Sequence, residues 1–259
     1  MLIDQECDEI HCQIVKQYTF MPEDCKDCSL ANTCIPSAFA EHNIHKLDKI
    51  VSPTKQYPRH RNIYHQGSNF QALYIVKSGA LKTYITNSKG DENITGFYMP
   101  GDIVGLESIS KRRYLNTAKT LTDSRLCRVN YQELAELRKY TPALSDWAIN
   151  LFSLSLASGQ DFFNCLSQHT AVARLATFLL TLSKRTSRSD QYQLDFQLPM
   201  SRQDIGSYLG LANETTSRAF TKLVDKTCIH KMNKEIHIVD LEALQECSNL
   251  TMEHSKESY

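Results

Sequence analysis

The chain has no excess charge of either sign, because its 29 Lys and Arg residues balance its 29 Asp and Glu residues. Bulk charge therefore neither favours nor excludes nucleic acid as a partner, and any such signal must be local. The chain also lacks an apolar run of about 18 residues, the length of a membrane-spanning helix. Its acidic N-terminus lacks the basic-then-apolar order of a signal peptide. We therefore expect a cytoplasmic protein without a membrane partner.

Motifs of common enzyme classes are missing as well. The sequence contains no GxxxxGK phosphate loop, no HExxH metal motif and no nucleophile elbow. His60 and His65 lack a third ligand at a plausible spacing. Internal repeats are absent. These absences favour a binding protein over an enzyme.

Cysteine, in contrast, is abundant, with nine residues in the chain. Because cytoplasmic thiols are kept reduced, clustered cysteines indicate metal or redox chemistry rather than disulfides. Cys25, Cys28 and Cys34 form a C-x2-C-x5-C run. It lies within residues 1–50, which contain nine acidic and four basic residues. Three thiols cannot complete a four-ligand site, so a fourth ligand must come from elsewhere. Four further cysteines show no ligand spacing and are interpreted as buried or incidental thiols: Cys7, Cys12, Cys165 and Cys247.

The pattern of the chain changes near residue 51 and again near residue 141. Short β-rich runs separated by Gly- and Asp-containing turns predict a sandwich or barrel-like roll. From Pro142 the period becomes helical, and an apolar face recurs over about six turns. Few charges interrupt this helix, so we expect it to pair with a second copy of itself; the alternative is burial of this face against its own domain. That face comprises Leu144, Trp147, Ala148, Leu151, Phe152, Ser155, Leu156, Gly159 and Phe162 or Phe163.

The segment from Ser201 to Leu223 predicts a helix-turn-helix. Ser201 is placed to cap the first helix, with Asp204 three residues on as in a capping box. Gly210 permits the left-handed turn that ends this helix, and Asn213 is expected to cap the second. Residues 229–239 read as a hairpin wing. Residues 171–240 hold ten basic and seven acidic residues, a local charge of the sign that DNA binding needs.

These residues resemble a known family. The pattern from Arg202 to Leu211, followed by Glu214-Thr-x-Ser217-Arg218, is similar to the DNA-binding signature of CRP/FNR regulators. In the FNR branch, a Glu, a Ser and an Arg at these places read the half-site TTGAT, so the resemblance implies that Glu214, Ser217 and Arg218 bind double-stranded DNA. The branch often has an apolar residue where this chain has Asn213. This difference concerns the base preferred at the outermost position of the half-site.

The cysteine run also resembles the N-terminal segment of FNR regulators, including the Ile-Pro that follows Cys34. In that family the fourth ligand is a lone cysteine late in the β-roll, and Cys127 stands at the matching place. The resemblance implies that Cys25, Cys28, Cys34 and Cys127 hold an oxygen-labile [4Fe-4S] cluster that stabilises a DNA-binding homodimer. On spacing alone, a structural zinc and a dithiol switch of Cys25 and Cys28 remain alternatives.

The resemblance implies an α+β chain in four parts. These are a cysteine-rich cluster-binding segment (1–50), a β-roll sensor domain of cyclic-nucleotide-binding type (51–140), a dimerisation helix (141–170) and a winged helix-turn-helix domain (171–259). A cyclic-nucleotide effector is a rival reading, but Asn116 replaces the arginine that would pair with the cyclic phosphate. We expect no cyclic nucleotide to bind. The loop from Asn87 to Asn93 is similar to the family's contact with RNA polymerase and also suits a simple solvated turn.

Overall fold

Short antiparallel strands make up most of residues 51–130. The computed structural model describes residues 25, 28–30, 34–35, 50–187 and 191–248. Most of the segment 1–50, including Cys7 and Cys12, and residues 249–259 lie outside the described residues. The strands of the first half pair into two four-stranded sheets, in the orders β1-β8-β3-β6 and β2-β7-β4-β5. They are β1 (Val51–Tyr57), β2 (Asn62–Tyr64), β3 (Ala72–Ser78), β4 (Leu81–Thr86), β5 (Glu92–Tyr98), β6 (Ile103–Val104), β7 (Thr117–Thr120) and β8 (Ser124–Asn130).

One apolar core joins these two sheets into a β-roll. Buried side chains from both sheets contribute to it, among them Ile75, Leu81, Ala118 and Leu126. Burying such surface supplies about 25 cal/mol per Å² of apolar area, the dominant favourable contribution to folding. The predicted roll is confirmed, and its turns fall where Gly79, Gly90 and Gly101 adopt positive φ angles.

Two helices follow the β-roll. Helix α1 (Tyr131–Arg138) begins at Asn130, whose side chain accepts a hydrogen bond from the backbone N–H of Gln132. Helix α2 (Pro142–Ser167) has 26 residues and is therefore about 39 Å long. Among described residues, no helix is long and apolar enough to cross a membrane.

The predicted apolar face of helix α2 has different surroundings at its start, middle and end. Near its start, Leu144 is buried in the β-roll core, and Trp147 and Leu151 pack against that core. Residues 152–161 are all exposed, and Cys165 near the end is buried against the C-terminal domain. The expectation of one continuous dimer face was wrong for the first third, because the β-roll of the same subunit covers it.

Over its described residues, the C-terminal domain contains four helices and a three-stranded sheet whose last strand in sequence lies in the middle. Its elements are α3 (Ala171–Thr186), β9 (Asp195–Gln197), α4 (Arg202–Leu209), α5 (Asn213–Asp225), β10 (Ile229–Met232), β11 (Glu235–Ile238) and α6 (Leu241–Ser248). Strands β10 and β11 form the predicted hairpin. Arg174 of α3 donates to the carbonyl of Gln168 (3.0 Å), just after α2, and to the carbonyl of Leu209 (3.2 Å), which ends α4. One guanidinium thus binds the C-terminal ends of both helices.

Candidate DNA-binding surface and thiol cluster

The first helix of the helix-turn-helix, α4, begins with the predicted capping box. The Ser201 hydroxyl accepts from the Asp204 backbone N–H (3.0 Å), and the Asp204 carboxylate accepts from the Ser201 backbone N–H (3.1 Å). The helix ends at Gly210, whose φ of 64° lies in the left-handed region. Both ends of α4 are therefore fixed by local chemistry that the sequence predicted.

The two helices of the motif approach each other at Gly206, a position that the sequence reading passed over. A Cβ atom there would lie 2.8 Å from the Thr216 hydroxyl and 2.9 Å from the Leu211 carbonyl oxygen. Both distances are below van der Waals contact. Glycine is required because any side chain would push α5 away from α4.

Helix α5 begins one residue earlier than predicted. Ala212, not Asn213, is the N-cap, and no side chain caps this end. Asn213 lies within the first turn instead. The physical reason is the short connection: the Leu211 N–H donates to the Gly206 carbonyl (2.8 Å), and Thr216 N–H already donates to Ala212 (2.9 Å). The expected Asn213 cap is therefore wrong.

Helix α5 brings the three predicted DNA-contacting residues onto one face, at i, i+3 and i+4. Arg218 Nη2 lies 2.6 Å from Glu214 Oε1, and the two side chains are 74% and 76% exposed. Ser217 Oγ accepts a weak hydrogen bond from Arg202 at 3.4 Å. The face thus offers an exposed guanidinium, a carboxylate and a hydroxyl near the start of the helix, where recognition helices contact base edges.

The described cysteines of the N-terminal run lie beside Cys127 of β8. Cys25, Cys34 and Cys127 pack against the β-roll core, and the backbone N–H of Cys34 donates to Leu30 (2.9 Å). Burial raises the pKa of the Cys34 thiol to about 12, and the neighbouring thiols of Cys127, Cys25 and Cys28 raise it further. The Cys34 thiol therefore lies within electrostatic range of the other three predicted ligands, and Cys127 lies within range of Cys28.

Cys127 is also held by its surroundings on the β-roll. Its backbone pairs with Ile75 of β3, and its Sγ lies 3.5 Å from the Thr54 hydroxyl. Burial raises its pKa, opposed in part by the Thr54 contact and by the charges of Lys77 and Arg125. In the part of the chain that is described, no three His, Cys, Asp or Glu side chains converge to hold a metal ion.

A cavity lies between the β-roll and helix α2, where a roll of this type would take a cyclic nucleotide. Asn116 is buried there, and it donates to Glu107 (3.0 Å) while the Tyr64 hydroxyl contacts its side-chain oxygen (3.2 Å). Among the described residues, those that line this cavity include Glu107 and Phe152 of α2, and none of them is Lys or Arg. A phosphate entering this cavity would meet a carboxylate without a compensating cation.

Charged residues of the β-roll also contact α4. Lys82 of β4 lies 2.6 Å from Glu92 of β5 and 2.7 Å from Asp204 of α4. Ser207 of α4 donates to the Glu92 carbonyl (3.2 Å) and accepts from the Ile94 N–H (3.1 Å). The first helix of the DNA-binding motif is therefore docked on the second sheet of the β-roll.

A β-roll, a long exposed helix and a winged helix-turn-helix define a DNA-binding regulator of the cyclic-AMP-receptor architecture. Two family models match accordingly: the cyclic nucleotide-binding domain over residues 54–140 and the Crp-like helix-turn-helix domain over residues 173–247. The structure of FixK2 from Bradyrhizobium japonicum is similar, with a TM-score of 0.70 and 27% identity. That match covers 78% of this chain and 99% of FixK2.

Curated relatives narrow the assignment. The transcriptional activator protein anr of Pseudomonas aeruginosa is 38% identical over 216 residues, which cover 83% of this chain and 88% of that protein. The fumarate and nitrate reduction regulatory protein of Escherichia coli K12 is 33% identical over 227 residues, covering 88% and 91%. This chain belongs to the FNR branch of the CRP/FNR family of transcription regulators, which are not enzymes. The expected family, α+β fold and DNA-binding role are confirmed.

Proposed function

We propose that this regulator senses oxygen or redox state through a [4Fe-4S] cluster bound by Cys25, Cys28, Cys34 and Cys127, and that the cluster controls dimerisation and binding to TTGAT-like palindromes in the cytoplasm. The observation that carries the proposal is the proximity of Cys127 to the N-terminal run. Cys127 lies 93 residues beyond Cys34 in sequence, yet both side chains pack against the same β-roll core, and the Cys127 thiol contributes to the raised pKa of Cys34.

The donor set fits such a group. Four cysteine thiolates are the ligands of a cuboidal iron–sulfur cluster, and this set lies half-buried against an apolar core. A structural zinc would use the same four thiolates, so the iron and sulfide content of the protein decides between the two groups. When bound, the cluster would supply an oxygen-labile link between residues 25–34 and the β-roll.

The chain's own residues would convert that link into dimerisation. Cys127 lies on β8, which pairs with β3. Residues of β3 and Leu144 of α2 belong to the same apolar core. A tie to β8 therefore bears on the same core that positions the start of the long helix. Such coupling between ligand binding and a packed element is the common form of a two-state switch.

The exposed middle of α2 supports a homodimer. Apolar or small residues recur there at alternating spacings of three and four, the a and d positions of a two-stranded coiled coil. Ile149, Leu156 and Phe163 are 66%, 67% and 77% exposed, and nothing lies within 4 Å of a Cβ built on Gly159. We call this set the seam: Ile149, Phe152, Leu156, Gly159 and Phe163.

The exposed face of α5 that carries Glu214, Ser217 and Arg218 supports a TTGAT-like half-site. The Arg218 guanidinium can donate two hydrogen bonds to guanine O6 and N7, and the Glu214 carboxylate can accept from a cytosine amine. The two side chains lie 2.6 Å apart and are both exposed near the start of α5. Two such helices in a symmetric dimer would read half-sites about one helical turn apart.

The loop between β4 and β5 is the proposed contact with RNA polymerase. Asn87 folds it into a tight turn, because its side-chain oxygen accepts from the N–H groups of Lys89 (2.8 Å) and Asp91 (3.0 Å). These contacts also suit a plain solvated turn, so the proposal depends here on the resemblance of the loop.

The test of the cluster proposal compares cysteine variants under anaerobic conditions. Cys127→Ala should lose the iron and sulfide content, the cluster absorption and oxygen-dependent DNA binding, while its far-ultraviolet circular dichroism stays that of the wild type. Matched controls are Cys165→Ala, Cys247→Ala and Cys7→Ala, which should keep all three properties. A full cluster in Cys127→Ala would place the fourth ligand elsewhere, and zinc without iron in the native protein would replace the cluster by a structural metal.

A further inference from the structure

Two cysteines of the DNA-binding domain lie in contact with each other, remote in sequence from the four proposed cluster ligands. Cys228 Sγ and Cys247 Sγ are 3.8 Å apart. A disulfide requires about 2.05 Å between the sulfurs, so side-chain rotation and a small movement of the chain would close the bond. Cys228 precedes β10, and Cys247 lies in the last turn of α6.

The two thiols differ in accessibility and electrostatics. Cys228 is 1% exposed, whereas Cys247 is half-buried and reachable from solvent. The Lys226 ammonium lies 3.7 Å from Cys247 Sγ, on the accessible side of the pair. Burial raises the pKa of Cys228 to about 11, with the neighbouring Cys247 raising it further. Cys247 is therefore the residue that reacts first, and Cys228 the one that resolves.

The backbone holds Cys228 at the end of the recognition helix. Its N–H donates to the Leu223 carbonyl (3.0 Å), and Thr227 N–H donates to Val224 (2.8 Å). This is the Schellman pattern that ends a helix, here with Thr227 at a φ of 58° instead of the usual glycine. The Cys228 carbonyl accepts from Val239 N–H (3.0 Å) at the end of the wing. Cys228 is thus fixed to both the helix and the wing.

We propose that Cys247 and Cys228 form a peroxide-reactive dithiol pair that closes to a disulfide and fastens α6 to the end of the recognition helix. The Cys247 thiolate attacks one oxygen of hydrogen peroxide, the O–O bond breaks, and Cys247 becomes a sulfenic acid with release of hydroxide. Cys228 sulfur then attacks Cys247 sulfur, the S–O bond breaks, and water leaves. In sum, two thiols and one peroxide give one disulfide and two waters.

The disulfide leaves the DNA-reading face in place. Glu214 and Arg218 lie at the opposite end of α5 from Cys228, so DNA affinity should change by less than about twofold, far below the roughly tenfold that 1.4 kcal/mol represents. The crosslink closes the segment that includes the wing and most of α6. Because it restricts the unfolded chain, oxidation should raise the unfolding temperature of the domain.

Peptide mapping of the full-length chain tests the pair directly. Trypsin cleaves after Lys226, Lys231, Lys234 and Lys256, which leaves Cys228 alone in the peptide 227–231 and Cys247 alone in the peptide 235–256. After treatment with hydrogen peroxide and alkylation of remaining thiols, we expect these two peptides joined, with two hydrogens lost. Dithiothreitol should separate them and reverse the rise in unfolding temperature.

Variants separate this pair from the cluster ligands. Cys247→Ser, at a half-exposed position where folding is not at risk, and Cys228→Ala should both lack the joined peptide and the temperature rise. Cys165→Ala is the control for a buried thiol elsewhere and should keep both. Cys127→Ala should keep them too, whatever becomes of the cluster. Sulfinic acid at Cys247 beside an alkylated Cys228, or no joined peptide in the wild type, would overturn the proposal.

Discussion

Lys82 Nζ lies 2.7 Å from an Asp204 carboxylate oxygen, although 122 residues separate the two in sequence. Their side chains are only 10% and 15% exposed, so the pair is largely withdrawn from water. It joins β4 of the β-roll to α4 of the helix-turn-helix. Asp204 therefore has two tasks, because its other carboxylate oxygen accepts from Ser201 in the capping box.

Replacing Lys82 should loosen this contact. Lys82→Met keeps the apolar stem but leaves Asp204 and Glu92 without their shared cation, so we expect the free energy of unfolding to fall by about 1.5–3 kcal/mol. Urea titration followed by tryptophan fluorescence measures the loss. Lys119→Met is the matched control, since Lys119 is more exposed and lies 3.6 Å from Glu92; its loss should stay below about 1 kcal/mol. Equal losses in the two variants would mean that the Asp204 contact contributes nothing.

The same contact gives the stability a predictable pH dependence. Burial acts to raise the pKa of Asp204 and of Glu92, but the hydrogen bonds from Lys82 outweigh it, and both pKa values lie below their ordinary values of 3.8 and 4.5. A carboxyl group whose pKa is lowered by folding stabilises the folded state at pH values above its ordinary pKa. This stabilisation is lost as the pH falls through the lower pKa of the folded state. The difference in unfolding free energy between wild type and Lys82→Met should therefore shrink below about pH 4. A difference that stays constant from pH 7 to pH 3 would contradict this origin.

Arg218 should carry base recognition. Arg218→Ala is expected to lose about 1–3 kcal/mol on a TTGAT-like palindrome and to relax the preference at the guanine. Fluorescence anisotropy with the preferred site and with a guanine-substituted site measures both effects at a fixed salt concentration. Lys222→Ala, on the last turn of the same helix, should weaken binding equally on both sites. An equal loss on both sites in Arg218→Ala would make Arg218 a phosphate contact only.

The seam of α2 should form the dimer. Leu156→Asp places a carboxylate opposite its own copy across the two-fold axis and removes apolar burial of about 1.5–3 kcal/mol per subunit. We expect this variant to sediment as a monomer. Leu154→Asp is the matched control, because Leu154 is 68% exposed but lies off the seam. Dissociation of both variants to the same extent would place the interface on another face.

Loss of the cluster should weaken dimerisation without abolishing it at micromolar concentration. Between Ser145 and Gln168 the only charged residues are Asp146 and Asp161, so no acidic residue of the seam repels its copy. Sedimentation of protein stripped of iron tests this expectation. A clean monomer would show that the seam alone is too weak and needs the proposed link at Cys127.

Cyclic AMP should not bind at physiological concentration. Asn116 stands where a cyclic-phosphate-binding arginine is expected, and its side chain is already engaged with Glu107. Isothermal calorimetry should give no heat of binding up to millimolar nucleotide. Micromolar affinity would require a cation that the described lining of the cavity lacks.

Features set by neighbouring residues were predictable from the sequence. The Ser201–Asp204 capping box and the left-handed Gly210 depend on spacings of a few residues, and the structure has both. The cap at Asn213 was wrong because the short hydrogen-bonded connection between α4 and α5 makes Ala212 the residue at which α5 begins. The close packing of the two helices at Gly206 accompanies this connection, and a pattern of capping residues does not predict it.

Long-range contacts were the part that sequence could not give. Nothing near Lys82 indicates an acidic partner 122 residues away, and Cys228 and Cys247 carry no recognisable spacing. The proximity of Cys127 to Cys34 came from family resemblance alone, since the residues between them define no geometry. Likewise, the periodicity of α2 showed an apolar face without showing that the β-roll covers its first third.

The two hydrogen bonds of Arg174 bear on the choice of operator. One guanidinium binds the chain just after α2 and the end of α4, and α4 packs closely on α5 at Gly206. In the proposed complex with DNA, a shift of α5 should therefore also displace the end of α2. In the proposed dimer, the distance between the two reading helices is therefore set by how the long helices cross. The spacer length that the regulator accepts between half-sites would then depend mainly on α2, outside the helix-turn-helix. The helix-turn-helix would recognise the base sequence, and α2 would set the spacing.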